Sequence, residues 1–189
     1  MREEYKNLGR KFIEPLTILI VKTKISPNLL TLLGIPFSIA AGMFFSLGNR
    51  WMGLVFLFLV ALMDTIDGEV ARKSQKLNPK GAFLDSVIDR FSEIFIYAGF
   101  FYYYLHVSHI LSLLVFGTLS FSLMVSYIRA RAEGIGKECK IGLMERPVRF
   151  AVLILGFLIL GYRGLPYVLG LIFLGSFYTI IQRVMYVFK

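Results

Sequence analysis

The chain has 189 residues, of which 57% are hydrophobic, and its formal net charge is +9. Soluble proteins are on average about 45–50% apolar with glycine counted, so this composition excludes an ordinary soluble domain and favours a polytopic helical membrane protein. Because the basic residues flank apolar stretches, as in inner-membrane proteins, they do not indicate binding to nucleic acid.

The first predicted element is an amphipathic helix over residues 1–16 that lies on the membrane surface. Its larger apolar residues recur on one helical face: Tyr5, Leu8, Phe12, Ile13 and Leu16. Lysines and arginines occupy the other faces, which is typical of an interfacial helix. The alternative is a solvated segment that leads into the first span.

Six apolar stretches follow, and crossing a bilayer takes about 20 residues each. They are predicted at 27–48, 51–72, 81–105, 109–133, 146–163 and 165–187. The chain is therefore predicted to be an all-α integral membrane protein with six transmembrane helices. It forms a single domain over 1–189, with the six-helix membrane core at 27–187.

Basic residues are placed mainly before the first span, between the second and third, and around the loop between the fourth and fifth. On the opposite side the only basic residues are Arg50 and Arg163. Lysine and arginine favour the cytoplasmic side of a membrane. We therefore expect a multi-pass protein of the cell membrane, with both termini and the polar inner loops on the cytoplasmic side.

The chain has only four aspartates, and all lie in two neighbouring spans: Asp64, Asp67, Asp85 and Asp89. The first two are three residues apart and the last two are four apart, so each pair shares a helix face. At ~1.5 Å per residue, both pairs reach a similar depth, about a third of the way in from the cytoplasmic side. Antiparallel neighbouring helices can place them opposite each other.

Four carboxylates at this depth need counter-charges, because a charge in the membrane centre costs at least about 2.5–3.5 kcal/mol. One or two divalent cations would supply them, and hard oxygen ligands favour Mg²⁺ or Mn²⁺, with Ca²⁺ as a competitor. The alternative is pairing with Arg72 and Arg90. Intramembrane ionisable groups are more often functional, so the sequence predicts a metal site.

Small residues beside the aspartates are consistent with a bound nucleotide. Gly68, Ala71 and Gly81 would let a base or a pyrophosphate approach the helix backbone closely. Arg72 could bind a phosphate with two hydrogen bonds. Taken alone, such small residues would instead indicate helix packing.

The stretch from Asp64 to Asp89 resembles the signature of the CDP-alcohol phosphotransferase family. The family pattern is D-x2-D-G-x2-A-R-x8-G-x3-D-x3-D, and every defined position matches in this chain. Ser26-Pro27-Asn28 and Thr31 are similar to a second, weaker family motif near the nucleotide. The six-span architecture with an amphipathic N-terminal helix also matches, and the resemblance implies a homodimer.

The resemblance implies a reaction in which an alcohol attacks the lipid-bearing phosphorus of a CDP-linked lipid and CMP leaves. It implies that the four aspartates hold the metal and that Asp89 is the general base. It also implies a CDP site, formed by a larger set of residues: Asn28, Thr31, Asp64, Gly68, Ala71, Arg72 and Gly81.

Two further segments, Ser126–Glu133 and Gly142–Arg149, resemble the branch that uses inositol 1-phosphate, which includes phosphatidylinositol-phosphate and archaetidylinositol-phosphate synthases. The resemblance implies a set of ligands for the acceptor phosphate: Ser126, Arg129, Arg146, Arg149 and Arg183. For the arginines of these two segments, the alternative is a purely topological role. Val148 departs from the polar residue that relatives often carry there.

Three other functions remain open at this point. The acceptor could be glycerol 3-phosphate, as in phosphatidylglycerol-phosphate synthases, or the donor could be CDP-inositol. From a different class, membrane carboxylates could line the path of a divalent-cation transporter. A transporter often has repeat-related halves and sites near the midplane, and the last three spans contain no second acidic cluster.

Overall fold

The computed structural model describes residues 17–18, 26–73 and 79–188, and the regular structure in these ranges is helical. The predicted surface helix at 1–16 lies outside them. The five long helices are α1 Pro27–Ser46, α2 Arg50–Lys73, α3 Pro79–Leu105, α4 His109–Gly134 and α5 Arg146–Phe188. The predicted all-helical class is therefore confirmed.

Among the described helices, α1, α4 and α5 are long and apolar enough to cross a membrane. The other two, α2 and α3, have 24 and 27 residues. The four aspartates, together with the arginines and lysines near them, raise the polarity of these two helices. The total of six crossings stays a prediction.

Helix α5 has 43 residues, but Gly161 within it has non-helical angles of φ 61° and ψ −161°. Positive φ favours glycine, which has no Cβ to clash there. In a straight helix, Gly156 and Val168 would be about 18 Å apart, yet a Cβ on Gly156 would lie 2.6 Å from a Val168 methyl. The chain therefore reverses at Gly161, and the two halves of α5 pack side by side.

Side chains from neighbouring helices hold this reversal in place. Tyr104 donates a 2.6 Å hydrogen bond to the Tyr162 carbonyl, and Tyr162 donates one of 2.8 Å to the Phe45 carbonyl. Arg50 donates to the carbonyl of Leu158. The carbonyls of Leu158 and Tyr162 lie next to the interruption in α5, and the Phe45 carbonyl lies at the C-terminal end of α1, where helical carbonyls lack partners within the helix.

Helix α1 packs closely against both α2 and α3, whereas α2 and α3 make few contacts with each other. The closest approach joins α1 and α3 at two glycines. A Cβ on Gly99 would lie 2.2 Å from the carbonyl oxygen of Gly42, so no larger residue fits at this crossing. Because α1 lies between them, α2 and α3 leave a cleft at the end that carries the aspartates.

The apolar core fills the opposite end of the bundle. It is built around stacked and edge-on rings, with Phe45 and Phe100 centroids 4.3 Å apart and Phe157 at 5.3 Å from each. These three side chains are fully buried. The tightly packed end therefore anchors the helices, and the polar end is left for the site.

Candidate active site

Three aspartate side chains from two helices meet in the cleft between α2 and α3. Asp64 comes from α2, and Asp85 and Asp89 come from successive turns of α3. One carboxylate oxygen of each lies within 4.8 Å of the other two. Oxygens bound to one Mg²⁺ are at most about 4.2 Å apart, since each lies about 2.1 Å from the ion. Small side-chain movements would close these carboxylates around a divalent cation, so the donor set fits one.

The fourth predicted ligand, Asp67, lies beside this group and is held by its own hydrogen bond. Asp67 is buried, and Thr31 on α1 donates from Oγ1 to Asp67 Oδ2 over 2.6 Å. A small cavity of about 10 Å³ is lined by all four aspartates. Asp67 therefore borders the same space, and its part in holding a metal stays a prediction.

Arg146, the first residue of α5, reaches across the cleft to the carboxylates. Its Nη1 lies 3.0 Å from Asp64 Oδ1 and 2.7 Å from Asp89 Oδ2. Arg90 adds a longer contact of 3.4 Å to Asp89. The side chains of Arg146 and Asp89 are only 16% and 12% exposed, so water screens their attraction weakly. Arg146 is thus a built-in counter-charge of the acidic cluster.

A second cavity of about 160 Å³ adjoins the acidic cluster, where α1 begins, α2 ends and α3 begins. Six of the seven residues predicted to contact CDP line it: Asn28, Thr31, Gly68, Ala71, Arg72 and Gly81. The seventh, Asp64, lines the small cavity next to it. Asp67 and Asp85 line both cavities, so the predicted nucleotide and metal sites share a wall.

The walls of this nucleotide cavity offer positive potential to a phosphate. Helix α1 begins at Pro27. Ser26 caps its N terminus by accepting a hydrogen bond from the Leu29 amide. A helix N terminus carries a partial positive charge. Arg72 pairs with Glu69 at 2.7 Å and keeps 48% of its side chain exposed. Arg72 does not pair with the aspartates, whereas Arg90, the other arginine of the alternative interpretation, does contact Asp89.

A mainly apolar groove adjoins the acidic cluster at Asp64 and Arg146. It has a volume of about 220 Å³ between α2 and the first half of α5, and Asp64 and Arg146 lie at its polar end. Its other walls are mainly apolar, with Ala61, Phe150 and Ile154 among them. A larger apolar cavity of about 770 Å³ has two lining residues in common with this groove. It continues along the two halves of α5.

The remaining predicted acceptor residues lie around the segment between α4 and α5. Arg183 is buried and donates to the carbonyls of Ile141, at 2.8 Å, and Val125, at 2.5 Å. Ser126 is buried beside it, whereas Arg129 is exposed and pairs with Glu133. Of the five predicted acceptor ligands, all of which the structure describes, only Arg146 contacts the aspartates, and the roles of the others stay predictions.

Arg149 is a buried residue of α5. It is 1% exposed, and its Nη2 lies 2.9 Å from Oε1 of Glu93, which is fully buried. Glu93 is absent from the sequence-predicted site, although its spacing holds a signal: Asp85, Asp89 and Glu93 follow one another at intervals of four on one face of α3. Direct contact of Arg149 with an acceptor phosphate, which the resemblance implies, stays a prediction.

A family model described as CDP-alcohol phosphatidyltransferase matches residues 24–185. The archaetidylinositol phosphate synthase of Methanothermobacter thermautotrophicus is 33% identical, over 100% of this chain and 95% of the relative.

Solved structures of the Mycobacterium tuberculosis phosphatidylinositol phosphate synthase share the fold. The structure with CDP-DAG bound has a TM-score of 0.83 at 26% identity and covers 93% of this chain and 92% of that chain. The complex with manganese and citrate has a TM-score of 0.84 at 26% identity, covering 93% of this chain and 88% of that chain.

Proposed function

Because the chain belongs to the CDP-alcohol phosphatidyltransferase family, we propose that it transfers a phosphatidyl-type group from a CDP-linked lipid to inositol 1-phosphate and releases CMP. One observation carries the proposal. The cavity lined by the predicted nucleotide-binding residues shares Asp67 and Asp85 with the carboxylate cavity. A pyrophosphate bound in the first would lie next to the acidic cluster in the second.

The proposed reaction breaks one phosphorus–oxygen bond and forms another. The acceptor hydroxyl oxygen attacks the phosphorus that carries the lipid, and the bond to CMP breaks with its electron pair leaving on CMP. Asp89 takes the hydroxyl proton. Its position supports this role, because it lines the carboxylate cavity but not the nucleotide cavity, and its side chain is largely shielded from water.

One or two ions of Mg²⁺ or Mn²⁺ are proposed to bind at the four aspartates, Asp64, Asp67, Asp85 and Asp89. A bound ion would neutralise the pyrophosphate and the charge that develops on CMP. The cluster of three carboxylates supports this assignment, as does the manganese complex of the solved relative.

The apolar groove favours a lipid-linked donor over CDP-inositol. It begins at Asp64 and Arg146 and shares no lining residue with the nucleotide cavity. A donor whose pyrophosphate lies at the cluster could therefore place a hydrocarbon chain in the groove. A CDP-inositol donor has no group that would gain from apolar walls.

The phosphate of the acceptor is proposed to bind Arg146, supported by Ser126, Arg129, Arg149 and Arg183. Arg146 already lies at the carboxylates and carries the charge that a phosphorylated acceptor needs. A free polyol such as inositol would gain little from this arginine. This difference favours inositol 1-phosphate, which the family resemblance also supports.

The proposed enzyme crosses the cell membrane six times and works on the cytoplasmic side as a homodimer. The reversal at Gly161 supports counting α5 as two crossings. The basic residues near the acidic cluster support a cytoplasmic site. The homodimer rests on the family resemblance.

An acceptor panel tests this proposal. Purified protein receives CDP-lipid and Mn²⁺ with inositol 1-phosphate, glycerol 3-phosphate, serine or inositol, and CMP release is measured. We expect inositol 1-phosphate to give the highest kcat/KM. A preference for glycerol 3-phosphate would contradict the proposed acceptor while leaving the reaction class intact.

A matched pair of arginine variants tests the acceptor site. Arg146→Ala should raise KM for inositol 1-phosphate and lower kcat/KM about ten- to hundredfold, since a hydrogen bond to a charged group contributes about 1.5–3 kcal/mol. Arg131→Ala removes an exposed arginine of α4 that has no proposed contact and should leave KM unchanged. If the KM of Arg146→Ala for inositol 1-phosphate were as low as that of Arg131→Ala, Arg146 would be excluded from the phosphate site.

A further inference from the structure

Arg72, the arginine of the nucleotide cavity, has its guanidinium folded back along α2. A Cβ built on Gly68 would lie 3.6 Å from Arg72 Nη2, so the guanidinium rests against the preceding turn of its own helix. The same Nη2 donates a 2.7 Å hydrogen bond to Oε1 of Glu69. Residues three and four apart are neighbours on a helix surface. Gly68 and Glu69 together therefore fix where the guanidinium lies.

The glutamate contacts the arginine from outside the nucleotide cavity. Arg72 lines that cavity, and Glu69 is absent from its walls. The side chain of Glu69 is only 12% exposed, whereas that of Arg72 is 48% exposed. Glu69 is thus the more firmly enclosed member of the pair, and it holds an arginine that is otherwise free to move.

The same cavity offers Arg72 two other acidic partners. Among the described residues that line it, Asp67 and Asp85 are the only ones with a carboxylate. Both belong to the proposed metal site, and Asp67 is buried. Because attraction between charges is stronger where water is excluded, an unrestrained guanidinium would be drawn to these carboxylates. In the structure, Arg72 pairs with Glu69 instead.

The second arginine at the acidic cluster behaves differently. Arg146 lines the carboxylate cavity, and its Nη1 contacts both Asp64 and Asp89. A cation on these carboxylates opposes the binding of a metal ion to them. Another arginine on the remaining aspartates would add to that opposition, so the position of Arg72 matters for the metal site.

The pair between Glu69 and Arg72 is a weak restraint. It joins residues three apart on one helix, and ion pairs with a largely exposed member contribute little to stability. A guanidinium has five N–H groups, and its only acceptor among the residues that the structure describes is Glu69. Donors therefore remain for a phosphate while the pair stays in place.

We propose that Glu69 is a positioning residue that holds Arg72 away from Asp67 and Asp85. The aspartates are then left for the divalent cation, and the guanidinium is left for a phosphate of the CDP-linked donor. This inference rests on the proposed function and deepens it, because Glu69 occupies a position that the family signature leaves undefined. Glu69 acts through Arg72 and does not itself contact the metal or the nucleotide.

Binding of Mn²⁺ to the purified full-length protein, followed by electron paramagnetic resonance without nucleotide, tests the proposal. Glu69→Gln keeps the shape of the side chain but removes the charge that restrains Arg72. We expect this change to weaken Mn²⁺ binding. The loss should exceed that caused by the same change in an Arg72→Gln background, where no guanidinium is left to move onto the aspartates. The expected difference is roughly 1.5- to 5-fold, the range that corresponds to an exposed ion pair.

The comparison of backgrounds separates positioning from a simple effect of the lost charge. A purely electrostatic effect of Glu69 would act with or without the arginine. Equal losses of Mn²⁺ affinity in the two backgrounds would therefore overturn the proposal, as would unchanged affinity in Glu69→Gln. Glu138→Gln is the matched control, since it removes the carboxylate of an exposed ion pair with Lys140 outside the site and should leave Mn²⁺ binding unchanged.

Binding of CDP at saturating Mn²⁺, measured by calorimetry in detergent, separates this inference from the proposed function. Arg72→Gln should weaken CDP binding. Glu69→Gln should weaken it in the same direction, and should add nothing in the Arg72→Gln background. Losses that add up would show that Glu69 acts independently of Arg72 and would contradict the proposal. Unchanged CDP affinity in Arg72→Gln would instead contradict the proposed nucleotide contact, and the Mn²⁺ comparison would still decide the role of Glu69.

Discussion

The hydrogen bond between Thr31 and Asp67 gives the sharpest prediction about the site. The Thr31 hydroxyl has one proton and two acceptors in reach, the Asp67 carboxylate at 2.6 Å and the Pro27 carbonyl at 3.1 Å. The shorter contact to a charged group is the stronger one. Thr31→Val keeps the shape of the side chain, removes this donor and leaves the buried Asp67 without it.

The expected loss is about 1.5–3 kcal/mol, the range for a hydrogen bond to a charged group. For a chain of this size that lowers Tm by roughly 3–12 °C, at about 2–4 °C per kcal/mol. Groups that orient a metal ligand typically contribute 10- to 100-fold in metal affinity or activity. Thr31→Val should therefore also shift the Mn²⁺ dependence of CMP release by about that factor.

Thermal unfolding in detergent and CMP release over a Mn²⁺ titration measure both effects. Thr31→Ser keeps the hydroxyl and serves as the control, so it should remain close to wild type. If Thr31→Val matched the wild type in Tm and in its Mn²⁺ response, the bond to Asp67 would have no part in organising the site.

Three further variants address the remaining parts of the structure. Asp85→Asn should abolish turnover and weaken Mn²⁺ binding because it removes a proposed metal ligand, and near-normal activity would remove that assignment. Asp89→Asn should lower kcat much more than CDP affinity, measured separately by turnover and nucleotide titration; a large loss of affinity with intact chemistry would make Asp89 mainly a ligand. Gly99→Val should lower Tm, since its side chain would overlap the Gly42 carbonyl and overpacking costs about 1–3 kcal/mol. Gly170→Ala, where a Cβ meets nothing within 4 Å, is the control that should not lower Tm.

The spacing of the aspartates predicted that all four would meet, and three of them do, with Asp67 beside the group. Intervals of three and four place the carboxylates on one face of each helix, and the structure brings Asp64, Asp85 and Asp89 together. The signature and the second, weaker motif together identified six residues that line the nucleotide cavity. These results follow from helix periodicity and from the fixed spacing of the two motifs.

Contacts between distant helices could not be read in the same way. Periodicity shows which face of a helix is polar but not which helix packs there, so nothing in the sequence showed that α1 lies between α2 and α3. For the same reason, the pairing of Arg149 with Glu93 emerged only from the structure. The sequence placed the break in α5 near Arg163, whereas the positive φ occurs at Gly161.

Metal-dependent transfer from a CDP-linked lipid can be tested by measuring both products in one reaction. Purified protein receives CDP-lipid and inositol 1-phosphate, and CMP and the new phospholipid are quantified with Mn²⁺, with a chelator, and after Mn²⁺ is restored. We predict equal amounts of the two products, none with the chelator, and full recovery with Mn²⁺. Mn²⁺ uptake into protein-containing vesicles without formation of CMP or phospholipid would contradict the account and favour a cation transporter.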